Sequence, residues 1–334
     1  MINYIKLIQY LIYAFFFTLV VSPLVISFIK REKVKQVILK YVESHSAKAG
    51  TPTMGGLIFL ISIPVVSLIC FNGESTLAKM SLIVFLAYGL VGFLDDFIKF
   101  KNKQNLGLKP YQKIIFQLLI SVGIGFFVYN SMLGSVINIP FTNYLIDIDY
   151  WIIPLVAIIY LASTNAVNLT DGLDGLAGST TMCYMTTFVV LLLAFLETGL
   201  IGTNVVMVNE FQNIAVLSVV TIGALLSFLV FNCFPAKIFM GDTGSLALGS
   251  LVASVAVFSG LELFIPILGI MFVASAVSVI IQVAYYKLTK KRVFLMAPLH
   301  HHFEQKGCHE VRITMCYSLI TFFVGVVTIL LNIL

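Results

Sequence analysis

Residues 211–236 read FQNIAVLSVVTIGALLSFLVFNCFPA and contain no charged side chain. A helix needs about 20 apolar residues to cross the hydrocarbon core of a bilayer, so this run is long enough to do so. Further runs without charge occupy residues 7–29, 49–73, 80–94, 114–146, 150–170, 175–196, 243–261, 263–286 and 313–334. The sequence therefore predicts a bundle of about ten transmembrane helices.

The composition of the chain indicates the same class of protein. The 334 residues are 60% hydrophobic and 10% charged, with a mean hydropathy of +1.04, whereas soluble domains carry about 25% charged residues. The runs are too long and too uniformly apolar for the strands of a membrane barrel. We expect an all-α integral membrane protein whose partner is the lipid bilayer, with one polytopic domain over residues 1–334 and no nucleic-acid partner.

The distribution of positive charge predicts how the chain is oriented. Short loops rich in Lys and Arg remain on the cytoplasmic side during insertion. Alternating the loops from the N-terminus places all of the 20 Lys and Arg residues on one side, except Lys6 and Lys79. Both termini are therefore expected on the extracytoplasmic side.

Two segments are expected to depart from straight helices. Residues 135–150 alternate apolar and polar side chains, which predicts a short external β-hairpin. Pro266 and Gly269 fall inside the run 263–286, so that helix is expected to break or bend. Such a helix can tilt outward and open a groove for lipid.

Three acidic clusters fall on the cytoplasmic side in this topology. They are Asp95-Asp96, the pair Asp171 and Asp174 in the run NLTDGLDG at 168–175, and Asp242 in GDTGS at 241–245. Mg²⁺ prefers oxygen ligands and is usually held by one or two carboxylates together with substrate phosphates. Adjacent residues on a helix point about 100° apart, so one Asp of the first cluster could hold a metal while the other faces a substrate oxygen.

A segment with Lys48, Thr51 and Thr53 lies on the same side of the predicted bundle. It reads KAGTPTMGG at residues 48–56. A cation, hydroxyl groups and glycine backbone are the groups that grip a phosphate. The segment is therefore a candidate phosphate contact, and an ordinary Pro- and Gly-containing helix entry is the alternative.

A run of three histidines occurs in the segment APLHHHFE at residues 297–304. Three successive side chains cannot all point one way, which disfavours a zinc site made by His300, His301 and His302. An active-site loop that contributes one or two imidazoles to phosphate binding is the better interpretation. A solvated interfacial loop is the alternative.

Five blocks of the sequence resemble the phospho-N-acetylmuramoyl-pentapeptide-transferase family, a branch of the polyprenyl-phosphate N-acetylhexosamine 1-phosphate transferases. They are TPTMGG at 51–56, FLDD at 93–96, NLTDGLDGLA at 168–177, FMGDTGS at 239–245 and APLHHHFE at 297–304. The blocks follow the order of the family and span most of the chain. The acidic blocks are shared across the superfamily, whereas the triple-His block is the mark of the pentapeptide branch.

The resemblance implies a Mg²⁺-dependent enzyme of peptidoglycan synthesis. Such an enzyme transfers phospho-MurNAc-pentapeptide from UDP-MurNAc-pentapeptide to undecaprenyl phosphate, giving lipid I and UMP. It is expected as a homodimer in the bacterial plasma membrane, with its active site on the cytoplasmic face. A UDP-GlcNAc:polyprenyl-phosphate GlcNAc-1-phosphate transferase is the first alternative. A secondary transporter is more remote, because transporters usually place carboxylates near the bilayer midplane.

The resemblance also implies roles for the carboxylates. Asp242 is expected to be the principal Mg²⁺ ligand, with Asp96 beside the metal. Asp95 is expected to act as a base or to orient the lipid phosphate, although the three roles could be exchanged. A nucleophilic Asp95 in a two-step reaction also stays open.

Further residues are expected to bind the substrates or to assist catalysis by the same resemblance. His300 is a catalytic candidate and His301 a phosphate contact. Asp174 is expected nearest the uracil, and Phe239 is expected to stack on it. The remaining substrate-binding candidates are Lys48, Thr53, Lys113, Asn168, Asp171 and Asn232.

Overall fold

The computed structural model describes residues 4–32, 50–102, 107–142, 144–201 and 204–333. The longer helices are α1 (Tyr4–Arg31), α2 (Gly56–Cys70), α3 (Thr76–Asn102), α4 (Pro110–Asn130), α5 (Ile152–Thr170), α6 (Leu176–Thr198), α7 (Val205–Asn232), α8 (Gly241–Val257), α10 (Ile270–Thr289) and α12 (Glu310–Ile333). Two short helices are α9 (Ile265–Leu268) and α11 (Leu299–Gln305). The predicted all-α fold is confirmed.

Eight helices within the described ranges are long and apolar enough to cross a membrane. They are α1, α3, α4, α5, α6, α7, α10 and α12. The runs 49–73 and 243–261 become α2 and α8, which contain 15 and 17 residues and fall short of the roughly 20 needed for a full crossing. The chain is therefore a polytopic helical membrane protein with eight long and two shorter apolar helices.

The centre of the bundle is formed by α7 and α8. Every residue of α8 from Thr243 to Val257 is buried, and α7 is mostly buried along its length. Around them, α1 packs on α7, α3 and α5 pack on α8, and α4 packs on α5. The outer helices expose large apolar side chains such as Leu119 and Phe323, as helices that face lipid do.

Both predicted irregular segments are present. Strands β1 (Val136–Asn138) and β2 (Leu145–Asp147) pair antiparallel, with Ile137 opposite Ile146. The run 263–286 is divided at Gly269, where α9 ends and α10 begins. The hairpin and the break are therefore confirmed, whereas the lipid groove beside α10 stays a prediction.

A close approach of α3 and α8 places the candidate site. A Cβ atom on Gly92 would lie 2.1 Å from the backbone oxygen of Asp242, so only a residue without a side chain allows this contact. The last turns of α3, with Asp95 and Asp96, consequently lie against the first turn of α8.

Candidate active site

Asp95, Asp96 and Asp242 form one cluster where the end of α3 meets the start of α8. Each residue offers an oxygen atom, and these atoms all lie within 4.8 Å of one another. Asp95 and Asp96 are buried, while Asp242 is half-buried. Two of the three acidic clusters predicted at one face of the bundle therefore meet directly.

Protein donors hold one oxygen of each carboxylate. Oδ2 of Asp96 accepts hydrogen bonds from the backbone nitrogen and the hydroxyl of Thr243, at 2.9 and 2.7 Å. The backbone nitrogen is one of the N–H groups that a helix leaves unpaired at its N-terminus. Oδ1 of Asp95 accepts from the backbone nitrogen of Leu108 at 2.9 Å, and Oδ1 of Asp242 accepts from Nδ2 of Asn168 at 2.7 Å. These bonds fix how the three carboxylates face each other.

Two lysines neutralise part of the negative charge. Nζ of Lys99 lies 2.6 Å from Oδ2 of Asp95, 2.9 Å from Oδ2 of Asp242 and 3.8 Å from Oδ1 of Asp96. Nζ of Lys113 lies 2.9 Å from the same Asp242 oxygen. Lys113 was predicted to lie near the site, whereas Lys99 was missed. Lys99 follows Asp96 by three residues and Asp95 by four, and side chains at these spacings lie on one face of a helix and can form ion pairs. This signal in the sequence could have identified Lys99.

The donor set of this cluster fits a metal ion. Carboxylate oxygens are the ligands that hard divalent cations prefer. The Lys99 ammonium already lies among all three carboxylates, which shows that the space between them favours a positive charge. Asp96 and Asp242 could hold such an ion.

The block at residues 51–56 lies beside the loop that leads into α8. The backbone nitrogen of Phe239 donates to the oxygen of Pro52 at 2.8 Å, and the nitrogen of Gly55 donates to the oxygen of Phe239 at 2.8 Å. Phe239 itself is half-buried. The backbone of this block therefore fixes the candidate stacking residue.

Thr53 lies next to the carboxylates. Gly241 has φ 74°, and a Cβ there would lie 2.6 Å from Oδ2 of Asp96 and 3.0 Å from Oγ1 of Thr53. The predicted hydroxyl contact is thus adjacent to the cluster. Lys48, the predicted cation of the same segment, lies outside the described residues.

Three further polar candidates divide between the carboxylate cluster and the loop before α8. Nδ2 of Asn168 donates to Asp242 and also to Oγ of Ser245 at 2.8 Å. Oδ2 of Asp174 accepts from the backbone nitrogen of Ala236 at 2.9 Å. Nδ2 of Asn232 donates to the oxygen of Ile238 at 2.8 Å. Asp174 and Asn232 therefore both hold the loop that carries Phe239.

Asp171 belongs electrostatically to the same cluster. It follows the last residue of α5 and is half-buried. Burial, together with the negative charges of Asp242 and Asp96, raises the pKa of Asp171 to about 8. Near neutral pH its carboxyl group can therefore keep a proton and donate a hydrogen bond.

Two of the three successive histidines face the loop after α5. Nε2 of His300 and Nε2 of His301 would lie 2.2 and 3.0 Å from a Cβ on Gly172. His302 turns elsewhere, since its Nδ1 accepts from the backbone nitrogen of Leu295 at 3.1 Å. The expectation that the three imidazoles cannot share one direction is confirmed.

His300 and His301 differ in environment. His300 is fully buried, and neither of its ring nitrogens has a hydrogen-bond partner among the described residues. Burial, followed by the neighbouring His301, lowers the pKa of His300 to about 3. Nδ1 of His301 lies 2.8 Å from Oε2 of Glu304. The closeness to Gly172 places both rings beside the loop that carries Asp171.

Comparison with protein families identifies two matches. Residues 77–260 match the family model described as glycosyl transferase family 4. Residues 48–60 match signature 1 of phospho-N-acetylmuramoyl-pentapeptide-transferase. The first match contains Asp95, Asp96 and Asp242, and the second contains Thr53.

Similar proteins cover nearly the whole chain. The phospho-N-acetylmuramoyl-pentapeptide-transferase of Clostridium botulinum strain Alaska E43 is 45% identical over 93% of this chain and 92% of its own length. Those of Clostridium beijerinckii and Clostridioides difficile are 44% and 42% identical, over 95% and 92% of this chain and 93% and 92% of their own lengths. The chain belongs to the phospho-N-acetylmuramoyl-pentapeptide-transferase family, within glycosyl transferase family 4.

Proposed function

We propose that this protein transfers phospho-MurNAc-pentapeptide from UDP-MurNAc-pentapeptide to undecaprenyl phosphate, giving lipid I and UMP. The observation that carries the proposal is the meeting of Asp95, Asp96 and Asp242 with Lys99 and Lys113 at the ends of membrane helices. The ends of membrane helices lie near the membrane surface, where a lipid phosphate and a soluble nucleotide can meet. The names of the relatives favour the pentapeptide donor over UDP-GlcNAc.

The substrates and products define the bonds that change. An oxygen of the lipid phosphate attacks the β-phosphorus of the donor and forms a new P–O bond. The bond between this phosphorus and the bridging oxygen breaks, and UMP leaves with the electron pair. With the lipid phosphate fully ionised, both sides carry equal charge, so the reaction needs no net proton.

The main obstacle is repulsion between two anionic substrates. Lys99 and Lys113 can turn their ammonium groups from Asp242 to phosphate oxygens and so lower this repulsion. Asp242 and Asp96 would hold Mg²⁺, which supplies positive charge for the phosphates when bound. Holding both reactants in line contributes a further large part of the acceleration.

Asp95 has either of two roles in this scheme. Its Oδ2 contacts Lys99, and its Oδ1 is held by the backbone of Leu108. A carboxylate held in this way can orient the lipid phosphate, or it can accept a proton from a phosphate that arrives protonated. The rate of an Asp95→Asn variant as a function of pH distinguishes the two roles: the loss of a base is relieved at high pH, where the lipid phosphate arrives fully ionised, whereas the loss of an orienting carboxylate lowers the rate at every pH.

The donor is proposed to bind on the loop side of the cluster. Phe239 offers an aromatic face for the uracil, and Asp174 holds the loop that carries Phe239 by accepting a hydrogen bond from Ala236. Thr53 and Asn168 lie on the phosphate side, beside the carboxylates. Asn232 and Asp171 complete the nucleotide side, while His300, His301 and Lys48 are assigned to the phosphates.

The site is proposed to face the cytoplasm of a bacterial plasma membrane. Lys99 and Lys101 at the end of α3, and Lys287 at the end of α10, agree with the positive-inside rule for this face. The cytoplasm also holds the nucleotide donor. We also infer a homodimer, as the family resemblance implies.

A two-donor assay tests the proposed function. Purified protein is incubated with undecaprenyl phosphate, Mg²⁺ and either UDP-MurNAc-pentapeptide or UDP-GlcNAc, and UMP release is measured. We expect UMP with the pentapeptide donor and none with UDP-GlcNAc. Turnover of UDP-GlcNAc, or no UMP from either donor by a protein with a cooperative thermal transition, contradicts the proposal.

A further inference from the structure

A partly buried hydrogen bond joins α4 to α5, about one turn along each helix from Lys113 and Asn168. Nδ2 of Asn165 on α5 donates to Oε1 of Gln117 on α4 at 2.8 Å. The same Asn165 nitrogen donates to the backbone oxygen of Leu161 at 2.8 Å. Gln117 is fully buried and Asn165 half-buried. Two uncharged amides are therefore paired between the two helices.

The pair lies on the same helix faces as two side chains of the site. Gln117 follows Lys113 by four residues on α4, and Asn165 precedes Asn168 by three residues on α5, so each pair shares a face. Lys113 and Asn168 bind the two oxygens of Asp242, at 2.9 and 2.7 Å. The amide pair consequently links the two helices that deliver donors to one carboxylate.

The first part of α4 is held at few points, and one of them precedes the helix, where the backbone nitrogen of Leu108 donates to Oδ1 of Asp95. The buried residues of this helix begin at Gln117, so none lies in the turns that carry Lys113. A second contact comes from α3, where the Tyr88 hydroxyl donates to the backbone oxygen of Gln117 at 3.1 Å. Apolar surfaces alone fix helix rotation poorly in lipid, because lipid is as apolar as the neighbouring helix.

Packing does not explain why a glutamine occupies this position. Nε2 of Gln117 is buried and has no hydrogen-bond partner among the described residues. A buried unpaired donor lowers stability, and an apolar residue of similar size would avoid this loss. An apolar residue would, however, lack the side-chain oxygen that accepts the hydrogen bond from Asn165. This oxygen is what distinguishes glutamine at position 117.

We propose that Gln117 and Asn165 are positioning residues, which fix the rotation and depth of α4 against α5 so that Lys113 and Asn168 both reach Asp242. The inference rests on the proposed function and adds two residues that act through the site without touching substrate. Because Gln117 acts through Lys113, a variant that lacks both side chains should have the same kcat as a variant that lacks Lys113 alone.

A double-mutant cycle tests this dependence. We expect Gln117→Leu to lower kcat about tenfold without lowering Tm, and Gln117→Leu with Lys113→Met to have the kcat of Lys113→Met alone. Gln117→Glu should keep activity, because a carboxyl oxygen still accepts from Asn165. The matched control is Thr164→Val on α5, whose hydroxyl donates to the backbone oxygens of Tyr160 and Leu161 in its own helix, and its kcat should stay unchanged.

Binding of Mn²⁺, followed by electron paramagnetic resonance, provides a readout besides turnover. When Lys113 leaves Asp242, a positive charge that competes with the metal is removed. Gln117→Leu and Lys113→Met should therefore each raise the affinity for Mn²⁺ severalfold. The double variant should bind Mn²⁺ no more tightly than Lys113→Met alone.

Additive losses of kcat in the double variant, an unchanged kcat in Gln117→Leu, or a Tm that falls in step with kcat overturns the inference. A folded wild-type protein that releases no UMP contradicts the proposed function instead. In that case the pattern of Mn²⁺ affinities alone decides the role of Gln117.

Discussion

The ammonium of Lys99 on α3 lies 2.9 Å from Oδ2 of Asp242 on α8. The same Nζ atom contacts both Asp95 and Asp96. It thus occupies the space between carboxylates that a divalent cation would share. Because two positive charges at this distance repel each other, a bound metal ion should displace Lys99 toward the substrate phosphates.

Replacing Lys99 with Met should make the thermal stability of the protein depend more strongly on Mg²⁺ than that of the wild type does. The three carboxylates would then have only the Lys113 ammonium beside them. We therefore expect the free energy of unfolding without metal to fall by about 1–3 kcal/mol. Mg²⁺ should raise the Tm of the variant more than that of the wild type, because it binds tighter without the competing ammonium. Thermal unfolding in detergent measures both shifts, with the exposed Lys101→Met as control. Equal Mg²⁺ shifts in all three proteins would show that Lys99 and metal do not share a site.

Asp242→Asn should abolish most turnover and preserve the fold. The amide keeps the shape of the side chain but removes the charge that contacts Lys99 and Lys113. We expect UMP release to fall at least about 100-fold. Asp147→Asn in the distant hairpin is the control and should keep full activity. A variant of Asp242 with substantial turnover would remove it from the metal site.

The stability of the protein should depend on His300 at acidic pH. Its pKa in the folded state is about 3, lowered by burial and by His301, whereas that of an unfolded His is about 6.5. Below pH 6.5 the unfolded chain binds a proton that the folded protein does not, so stability is lost as the pH falls toward 3. The loss amounts to about 2 kcal/mol between pH 7 and pH 5.

His300→Gln removes this titration. Because His300→Gln lacks only the contribution of His300, we expect its Tm relative to that of the wild type to rise as the pH falls from 7 to 5, as measured by thermal unfolding. His302→Gln is the control, because the His302 ring is half-buried and bonded to Leu295. If the Tm difference between His300→Gln and the wild type is the same at pH 7 and pH 5, His300 is not buried as a neutral ring.

Phe239→Ala should weaken donor binding specifically. Stacking of a base on an aromatic ring contributes about 1–3 kcal/mol, so the KM for the nucleotide donor should rise about tenfold or more. The KM for undecaprenyl phosphate should stay constant, and Phe239→Tyr should bind the donor normally. Steady-state kinetics with each substrate varied in turn make the comparison. Equal changes in both KM values would indicate a disturbed loop instead of lost stacking.

The positions of the helices and of the carboxylates could be read from the sequence because each depends on local composition. Uncharged runs predicted the helices, alternation predicted the hairpin, and Pro266 with Gly269 predicted the break between α9 and α10. The Asp blocks predicted a shared site. Each of these signals lies within a few consecutive residues.

The bond between Gln117 and Asn165 could not be predicted, because it depends on how α4 is rotated against α5. In a soluble helix the apolar stripe identifies the packed face, but these helices are apolar all round. The short α2 and α8 were likewise read as full spans, since an uncharged run includes loop residues beside the helix. Lys99 follows Asp96 by three residues and Asp95 by four, a spacing visible in the sequence that favours ion pairs on one face of a helix.

The central claim is that this protein joins the phosphosugar of the donor to the lipid phosphate. Its most direct test uses UDP-MurNAc-pentapeptide labelled with ³²P at the β-phosphorus, together with undecaprenyl phosphate and Mg²⁺. We predict that all the transferred label appears in the lipid product, in amounts equal to the unlabelled UMP released. Label in the nucleotide product, or in a water-soluble sugar phosphate, would contradict the account.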